Sequence, residues 1–164
     1  MLTEPSIVER DAQPYLAIRR IVKIPFGTVA SKTLADLQRH MKKRGITPTD
    51  APFFRYNIID MPTALEIDFG APTEQEEQGD DVLVSGVLPA GRYATLTHTG
   101  PYKDLIAANG ALLDWIKAQG LTLDSHASPA GDVFGCRLEI YPTDPKVEKD
   151  KSRWVTELAF KLAD

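Results

Sequence analysis

The sequence predicts an α+β fold of two pseudo-symmetric β-α-β-β repeats, with antiparallel sheets, helices on one face and a cleft between the repeats. Three observations predict it. Each half carries runs rich in β-branched and aromatic residues around one segment of helical periodicity. The order of elements in the first half recurs in the second. A polar acidic run at residues 73–81, within a linker at about 73–88, separates the halves. Neither unit can bury its apolar faces alone, so we expect one domain over residues 1–164.

The first repeat is predicted to span about residues 14–72. Its helix is expected to begin at Thr33, which can act as N-cap with Asp36 in the first turn. A Schellman stop at Gly45 is expected to end this helix. A proline that cannot donate to a ladder marks a turn at residues 61–63. The strands of this repeat are predicted at Tyr15–Ile24, Phe53–Asp60 and Ala64–Phe69.

The second repeat is predicted to span about residues 89–164. Its helix is expected at Asp104–Gln119, followed by a glycine stop at Gly120 that repeats the stop of the first helix. The segment Ala64–Phe69 matches Val155–Phe160 in the alignment of the two halves. The strands of this repeat are predicted at Tyr93–His98, Cys136–Tyr141 and Trp154–Leu162.

Composition and charge argue against several classes of protein. The 164 residues are 43% hydrophobic and 26% charged, which is typical of an ordinary globular domain. A formal net charge of −4 without a basic stripe argues against direct binding to nucleic acid. No apolar run approaches the length of a membrane span, and the acidic N-terminus lacks the pattern of a secretory signal. We therefore expect no membrane partner and a cytoplasmic location.

The single cysteine, Cys136, excludes an internal disulfide. It alternates with aliphatic residues in its predicted strand, so a buried apolar role is favoured over that of a nucleophile.

The acid Glu139 lies in the middle of a predicted strand, between Leu138 and Ile140. In a strand it shares one face with Arg137 and Tyr141, while the alternate residues point the other way. We expect the apolar set to face the helices and Glu139 to face the opposite side of the sheet. There it is either a solvated residue or part of the groove between the repeats.

Aromatic residues from both halves are candidate walls of that groove. An aromatic face attracts a cation by about 0.5 to 2 kcal/mol, and tyrosine or tryptophan adds a polar group. Simple core packing is the alternative for each. Tyr56 and Tyr141 are favoured because they occupy matching positions, and Trp154 because it begins a strand expected to flank Glu139. The candidate ligand-binding residues are Glu139, Tyr56, Tyr141, Trp154, Tyr93 and Phe54.

Patterns typical of a metal or cofactor site are missing from the sequence. His40 and His126 have no neighbour at metal-ligand spacing, and His98 ends a strand where a structural role is expected. No serine elbow or phosphate-binding loop occurs, so we expect no cofactor and no metal. Alternating charges at Asp144–Lys151 predict a solvated loop.

Four strings of the second half have a characteristic order and spacing: Leu88–Tyr93, His98–Tyr102, Leu138–Tyr141 and Trp154–Phe160. Together they resemble the gyrase-inhibitor-like (GyrI-like) small-molecule-binding domain, also known as the effector-binding domain of multidrug-responsive transcription regulators. The resemblance covers nearly the whole chain. It implies a ligand cleft between the repeats for lipophilic, often cationic compounds, with Glu139 against aromatic walls.

The leading prediction is therefore a stand-alone binding protein that senses or sequesters lipophilic, often cationic small molecules. About 14 residues precede the first predicted strand, so a DNA-reading module is not expected within this chain. Some members of the family resemble hydrolases of strained electrophilic molecules such as cyclopropane-bearing toxins. In that alternative Glu139 is the general base and Tyr56 a second catalytic residue. A contact with DNA gyrase rests on the family's name alone.

Overall fold

Strands make up most of the regular structure of the chain. The computed structural model describes residues 1–60, 62 and 64–164. The helices are α1 (Gly27–Lys43) and α2 (Leu105–Ala118), and short 3-10 turns occupy Tyr102–Asp104 and Lys151–Arg153. The strands are β1 (Ser6–Arg10), β2 (Gln13–Val22), β3 (Phe53–Asp60), β4 (Ala64–Pro72), β5 (Val84–Leu88), β6 (Gly91–Thr99), β7 (Ser125–Ser128), β8 (Gly131–Phe134), β9 (Arg137–Ile140) and β10 (Val155–Lys161).

The strands form one antiparallel sheet in the order β1-β6-β10-β9-β3-β4-β2-β5, and the hairpin β7–β8 pairs with β3 through β8. Pairing of β3 with β9 joins the two halves of the chain. At this junction Phe54 lies directly opposite Glu139. The predicted α+β class with antiparallel strands is confirmed.

Helix α1 begins at Gly27, earlier than the predicted N-cap at Thr33. The Thr33 hydroxyl donates to the Val29 carbonyl at 2.7 Å, so it is satisfied inside the helix rather than at its end. The predicted C-terminus is confirmed. Gly45 has a φ of 71°, and the N–H groups of Gly45 and Ile46 donate back to carbonyls of the last turn in a Schellman stop.

Helix α2 lies within one residue of its predicted bounds at each end. Its stop repeats that of α1, because Gly120 has a φ of 68° and the N–H groups of Gly120 and Leu121 donate back to the last turn. The residues that α2 buries follow helical periodicity and are Leu105, Ala108, Leu112 and Ile116. Within the described residues no helix is long and apolar enough to cross a lipid bilayer.

Strands β1, β5, β7 and β8 are absent from the sequence prediction. Each is only four or five residues long, and polar residues or glycine interrupt its apolar pattern. Their neighbours in the sheet provide the pairing partners, so these strands depend on tertiary contact. The acidic run at 73–81 carries no helix or strand, as predicted, although β5 lies inside the predicted linker. The predicted turn at 61–63 includes Met61 and Thr63, which lie outside the described residues.

The register of β10 differs from the alignment made on sequence. Phe69 of β4 lies opposite Phe54, whereas Leu158 rather than Phe160 lies opposite Glu139. The match of Tyr56 with Tyr141 makes Phe54 and Glu139 equivalent positions of the two repeats, and these two residues pair with each other. Their partners in β4 and β10 should then be equivalent too, but they are displaced by two residues from the predicted alignment. A displacement of two residues keeps every side chain on the same face of the sheet.

Both faces of the sheet are buried, and this reverses the predicted orientation of β9. One face carries a cluster without helix residues that includes Leu138, Cys136, Tyr15 and Tyr93. Since β2 and β6 lie far apart in the sheet order, their meeting in this cluster shows that the sheet curls. The other face packs against α1 and α2 and carries Glu139. The prediction that the apolar residues of β9 face the helices is therefore wrong.

Candidate functional site

Glu139 is buried at the centre of the sheet, where the two halves of the chain meet. It pairs with Phe54 of β3 on one side and with Leu158 of β10 on the other. Only 6% of the residue is exposed, so the alternative of a solvated strand glutamate is wrong. A carboxylate in such a place requires hydrogen-bond donors, because burial of an unpaired charge is costly.

Among the described residues, three side chains donate to the Glu139 carboxylate. The hydroxyls of Tyr56 and Tyr141 both donate to Oε1 at 2.6 Å. The Asn109 amide donates to Oε2 at 3.0 Å from helix α2. The site therefore combines residues of β3, β9, α2 and the segment after β9.

The two phenols are protonated donors. Burial, followed by the charge of Glu139, raises the pKa of Tyr56 and of Tyr141 well above the usual value for tyrosine. Because both hydroxyls reach one carboxylate oxygen, their protons hold the carboxylate in one orientation.

Asn109 connects Glu139 to Arg137. Its amide also donates to the Leu105 carbonyl at 2.8 Å, and its side-chain oxygen accepts from Arg137 Nη2 at 3.2 Å. Sequence reasoning missed Asn109. One feature of the sequence could have indicated it: Asn109 is a polar residue next to the buried apolar residues of α2, where a polar side chain usually has a specific partner.

A row of aromatic rings runs from Phe54 outward. The Phe54 and Tyr141 ring centroids are 4.6 Å apart, and those of Tyr141 and Tyr102 are 5.7 Å apart. Tyr102 lies 4.5 Å from Trp154, whose indole nitrogen donates to the Glu148 carbonyl at 2.8 Å. Trp154 is therefore at the outer end of the row. Tyr102 was not among the predicted site residues, although it belongs to the Gly-Pro-Tyr string.

A pocket of about 310 Å³ lies at the outer end of this aromatic row. Its lining residues are Pro101, Tyr102, Lys103, Lys151 and Trp154. It is an open depression at the surface rather than an enclosed cavity. Tyr102 and Tyr141 separate this pocket from Glu139, because their rings follow one another between Trp154 and the carboxylate.

The family model for the GyrI-like small molecule binding domain matches residues 3–163, nearly the whole chain. The chain belongs to the GyrI-like family. No curated protein matches its sequence significantly.

Solved structures share the GyrI-like fold at low sequence identity. The regulator EcmrR, in its DNA complex, matches with a TM-score of 0.83 and 21% identity over 98% of this chain, and this chain spans 57% of the EcmrR length. The isolated EcmrR C-terminal domain matches with a TM-score of 0.78 and 20% identity, with 98% of both chains covered.

Two further structures extend the comparison. SAV2435 bound to tetraphenylphosphonium has a TM-score of 0.57 and 10% identity, with coverage of 98% of this chain and 94% of the other. A hydrolase from Listeria innocua has a TM-score of 0.59 and 14% identity, with coverage of 98% and 92%. At these identities the likeness establishes the fold.

The candidate site does not include every predicted residue. Tyr93 lies in the cluster on the face without helices, and its hydroxyl donates to the Pro89 carbonyl at 2.6 Å. Strand alternation places Tyr93 and Glu139 on opposite faces, so the structure does not bring them together. Of the six predicted residues, Glu139, Tyr56, Tyr141 and Phe54 form the inner cluster and Trp154 the outer end.

The remaining candidates of the GyrI-like domain have structural surroundings. His98 is buried, and its Nε2 lies 3.2 Å from the Pro101 carbonyl before the turn into α2. Cys136 is buried as predicted, and burial raises the pKa of its thiol. Among the residues that the structure describes, no cluster of three or more histidine, cysteine or acidic side chains could hold a metal ion.

Proposed function

We propose that the chain binds lipophilic small molecules, cations among them, and thereby senses or sequesters them. The observation that carries this proposal is a buried carboxylate with three donors at the inner end of an aromatic row whose outer end is an open pocket. Aromatic faces supply apolar area, and the phenols and the carboxylate supply polar contacts at one end.

The ligand is expected to enter at the outer pocket by displacing Tyr102 and to pack against Tyr141, whose hydroxyl donates to Glu139. Tyr102 is the ring between Trp154 and Tyr141, and it lies on a short 3-10 turn rather than on a long element. A lipophilic ligand would replace these ring contacts with its own. The capture of tetraphenylphosphonium by SAV2435, which has a similar fold, supports this chemistry.

We also propose that the chain acts without a partner domain and that it does so in the cytoplasm. A single cysteine cannot form an internal disulfide, which is consistent with a reducing compartment. This chain corresponds to only part of the EcmrR chain, and the DNA complex is a property of EcmrR.

Tryptophan fluorescence tests the binding proposal. A Trp115→Phe variant leaves Trp154 as the only tryptophan, and its emission reports on the outer pocket. Titration with tetraphenylphosphonium and with neutral triphenylphosphine oxide is expected to saturate. Glu139→Gln is expected to weaken cation binding most, whereas Glu76→Gln at an exposed loop position provides the matched control. If neither compound gives a saturable change of fluorescence in protein shown to be folded, the proposal is wrong.

A hydrolase of strained electrophilic molecules is the second candidate. The observation that favours it is the pair of protonated phenols that orient a single carboxylate. Glu139 would accept the proton of a water molecule whose oxygen attacks a carbon of the strained ring. The electron pair of the ring bond that breaks would pass to the electron-accepting group conjugated to the ring, which then takes up the proton, so that the net change is addition of one water molecule. Tyr56, Tyr141 or Trp154 would orient the substrate.

Product analysis by mass spectrometry separates hydrolysis from binding. Addition of one water molecule to a cyclopropane-bearing substrate is expected to stop in both Glu139→Gln and Tyr56→Phe. Turnover that persists in either variant would remove that residue from the mechanism.

A further inference from the structure

Arg137 and Glu139 are two residues apart on one face of β9, and Asn109 bridges them. The Asn109 amide donates to Glu139 Oε2 at 3.0 Å, while its oxygen accepts from Arg137 Nη2 at 3.2 Å. One planar carboxamide therefore contacts the anion on one side and the cation on the other. The two charges act on each other through this link rather than as a directly contacting ion pair.

Aromatic packing holds the Arg137 guanidinium in this place. Its central carbon lies 4.5 Å from the Phe160 ring centroid and 4.9 Å from that of Phe134. Arg137 Nε is buried and has no hydrogen-bond partner among the described residues. Burial lowers the pKa of Arg137, and the charge of Glu139 opposes that effect. An arginine in such surroundings remains charged, because its guanidinium is a very weak acid.

The entrance carries charges of both signs. Lys103 and Lys151 line the outer pocket beside Tyr102 and Trp154. Asp144 is the acid whose charge acts on Tyr102. The entrance therefore does not select for a cation by its charge, and the inner carboxylate is already linked to an arginine through Asn109.

We propose that Arg137 is the built-in counter-ion of Glu139 and the residue that makes this site prefer uncharged lipophilic ligands to lipophilic cations. This inference rests on the proposed binding function and adds the charge class of its ligand. An uncharged ligand leaves the link between Glu139, Asn109 and Arg137 intact and uses the aromatic row for its contacts. A permanent cation must approach against the field of Arg137.

The expected size of the effect follows from Coulomb's law. Suppose that the Arg137 guanidinium and a bound ligand cation are about 8 Å apart at an effective dielectric constant of about 20–40. Removal of the arginine charge then changes the binding constant of the cation roughly five- to thirtyfold. Replacement of Arg137 by methionine should therefore raise the affinity for a cation relative to a neutral compound by about tenfold.

Calorimetric titration with a matched pair of compounds tests the inference. Methyltriphenylphosphonium and triphenylphosphine oxide share three phenyl groups on phosphorus and differ in charge. The wild type is expected to bind the oxide at least as tightly as the cation. Arg137→Met is expected to shift the affinity ratio about tenfold toward the cation. Arg137→Lys should keep the wild-type ratio because it keeps the charge, and Arg20→Met controls for net charge at an exposed position of β2.

Each outcome decides the question. A wild type that binds the cation more tightly than the oxide overturns the charge preference and leaves the binding function intact. An unchanged ratio in Arg137→Met, or equal shifts in the methionine and lysine variants, overturns the role of the arginine charge. A folded wild type that binds neither compound overturns the proposed function as well. If Arg137→Met does not fold, Arg137→Gln removes the charge in its place, and the wild-type ratio tests the charge preference by itself.

Discussion

Replacement of Tyr56 by phenylalanine is expected to destabilise the protein by about 2 kcal/mol. The change keeps the ring and removes the hydroxyl that donates to Glu139 Oε1 at 2.6 Å. A hydrogen bond to a charged group contributes about 1.5–3 kcal/mol, and a carboxylate this buried cannot replace it with bulk water. Tyr141 and Asn109 still donate, so the loss stays at the level of one bond rather than of an unpaired buried charge.

Tyr93→Phe is the matched control for this substitution. The Tyr93 hydroxyl also donates at 2.6 Å from a buried site, but its acceptor is the neutral Pro89 carbonyl. A neutral hydrogen bond contributes about 1 kcal/mol, so the Tyr93 variant is expected to lose about half as much. The two variants therefore compare loss of a hydrogen bond to a charged acceptor with loss of one to a neutral acceptor.

Urea and thermal unfolding measure both variants. In a protein of this size each kcal/mol lowers the melting temperature by roughly 2–4 °C, so Tyr56→Phe should lose roughly 4–8 °C. A double-mutant cycle with Glu139→Gln is expected to give a coupling of about 1 kcal/mol. The reasoning is refuted if Tyr56→Phe costs no more than Tyr93→Phe, or if the coupling is below about 0.3 kcal/mol.

Three further outcomes concern stability. Burial, then the charge of Asp68, raises the pKa of Tyr15 to about 12, so the folded state holds this proton more tightly. The resulting stabilisation is complete below about pH 10 and falls by roughly 1.4 kcal/mol per pH unit up to about pH 12. Urea unfolding and phenolate absorbance across this range measure it, and native titration of Tyr15 near pH 10 would contradict it. Asp68→Asn should lower the free energy of unfolding by about 2–3 kcal/mol, as measured by urea unfolding. This is less than for a fully buried ion pair, because Asp68 is 0% exposed but the side chain of its partner Arg19 is 45% exposed. A loss below about 0.5 kcal/mol would refute this pairing energy. Gly70→Ala should destabilise by about 1–3 kcal/mol, because a Cβ would lie 2.8 Å from a phenylalanine ring atom. The control Gly110→Ala in α2 has open space and should stabilise by about 0.5–1 kcal/mol. Thermal unfolding separates the pair, and equal shifts would contradict the packing argument.

Local chemistry accounts for the elements that the sequence predicted well. The stops at Gly45 and Gly120 follow from the positive φ that a Schellman motif requires, which glycine adopts without strain. The N-terminus of α1 was predicted wrongly because Thr33 can satisfy its hydroxyl within a helix as well as at its end. The short strands β1, β5, β7 and β8 form because a neighbour supplies their hydrogen bonds, and no local pattern encodes that neighbour.

The candidate site was predictable in part. The repeat drew attention to Tyr56 and Tyr141, and a charge inside an apolar strand drew attention to Glu139; the structure brings these three together. Asn109 and Tyr102 were missed, since their contacts join segments far apart in the chain.

Strand periodicity and glycine placement were enough to predict the class of fold, most strands of the central sheet and both helices, because each depends on residues a few positions apart. They could not determine which face of β9 the helices cover. Both faces of the curled sheet bury apolar side chains, so alternation looks the same from either side. The register and the curl place Glu139 beneath α2, within reach of two phenols, a carboxamide and, through that carboxamide, a guanidinium. Such an arrangement depends on packing between distant segments, which local periodicity does not specify.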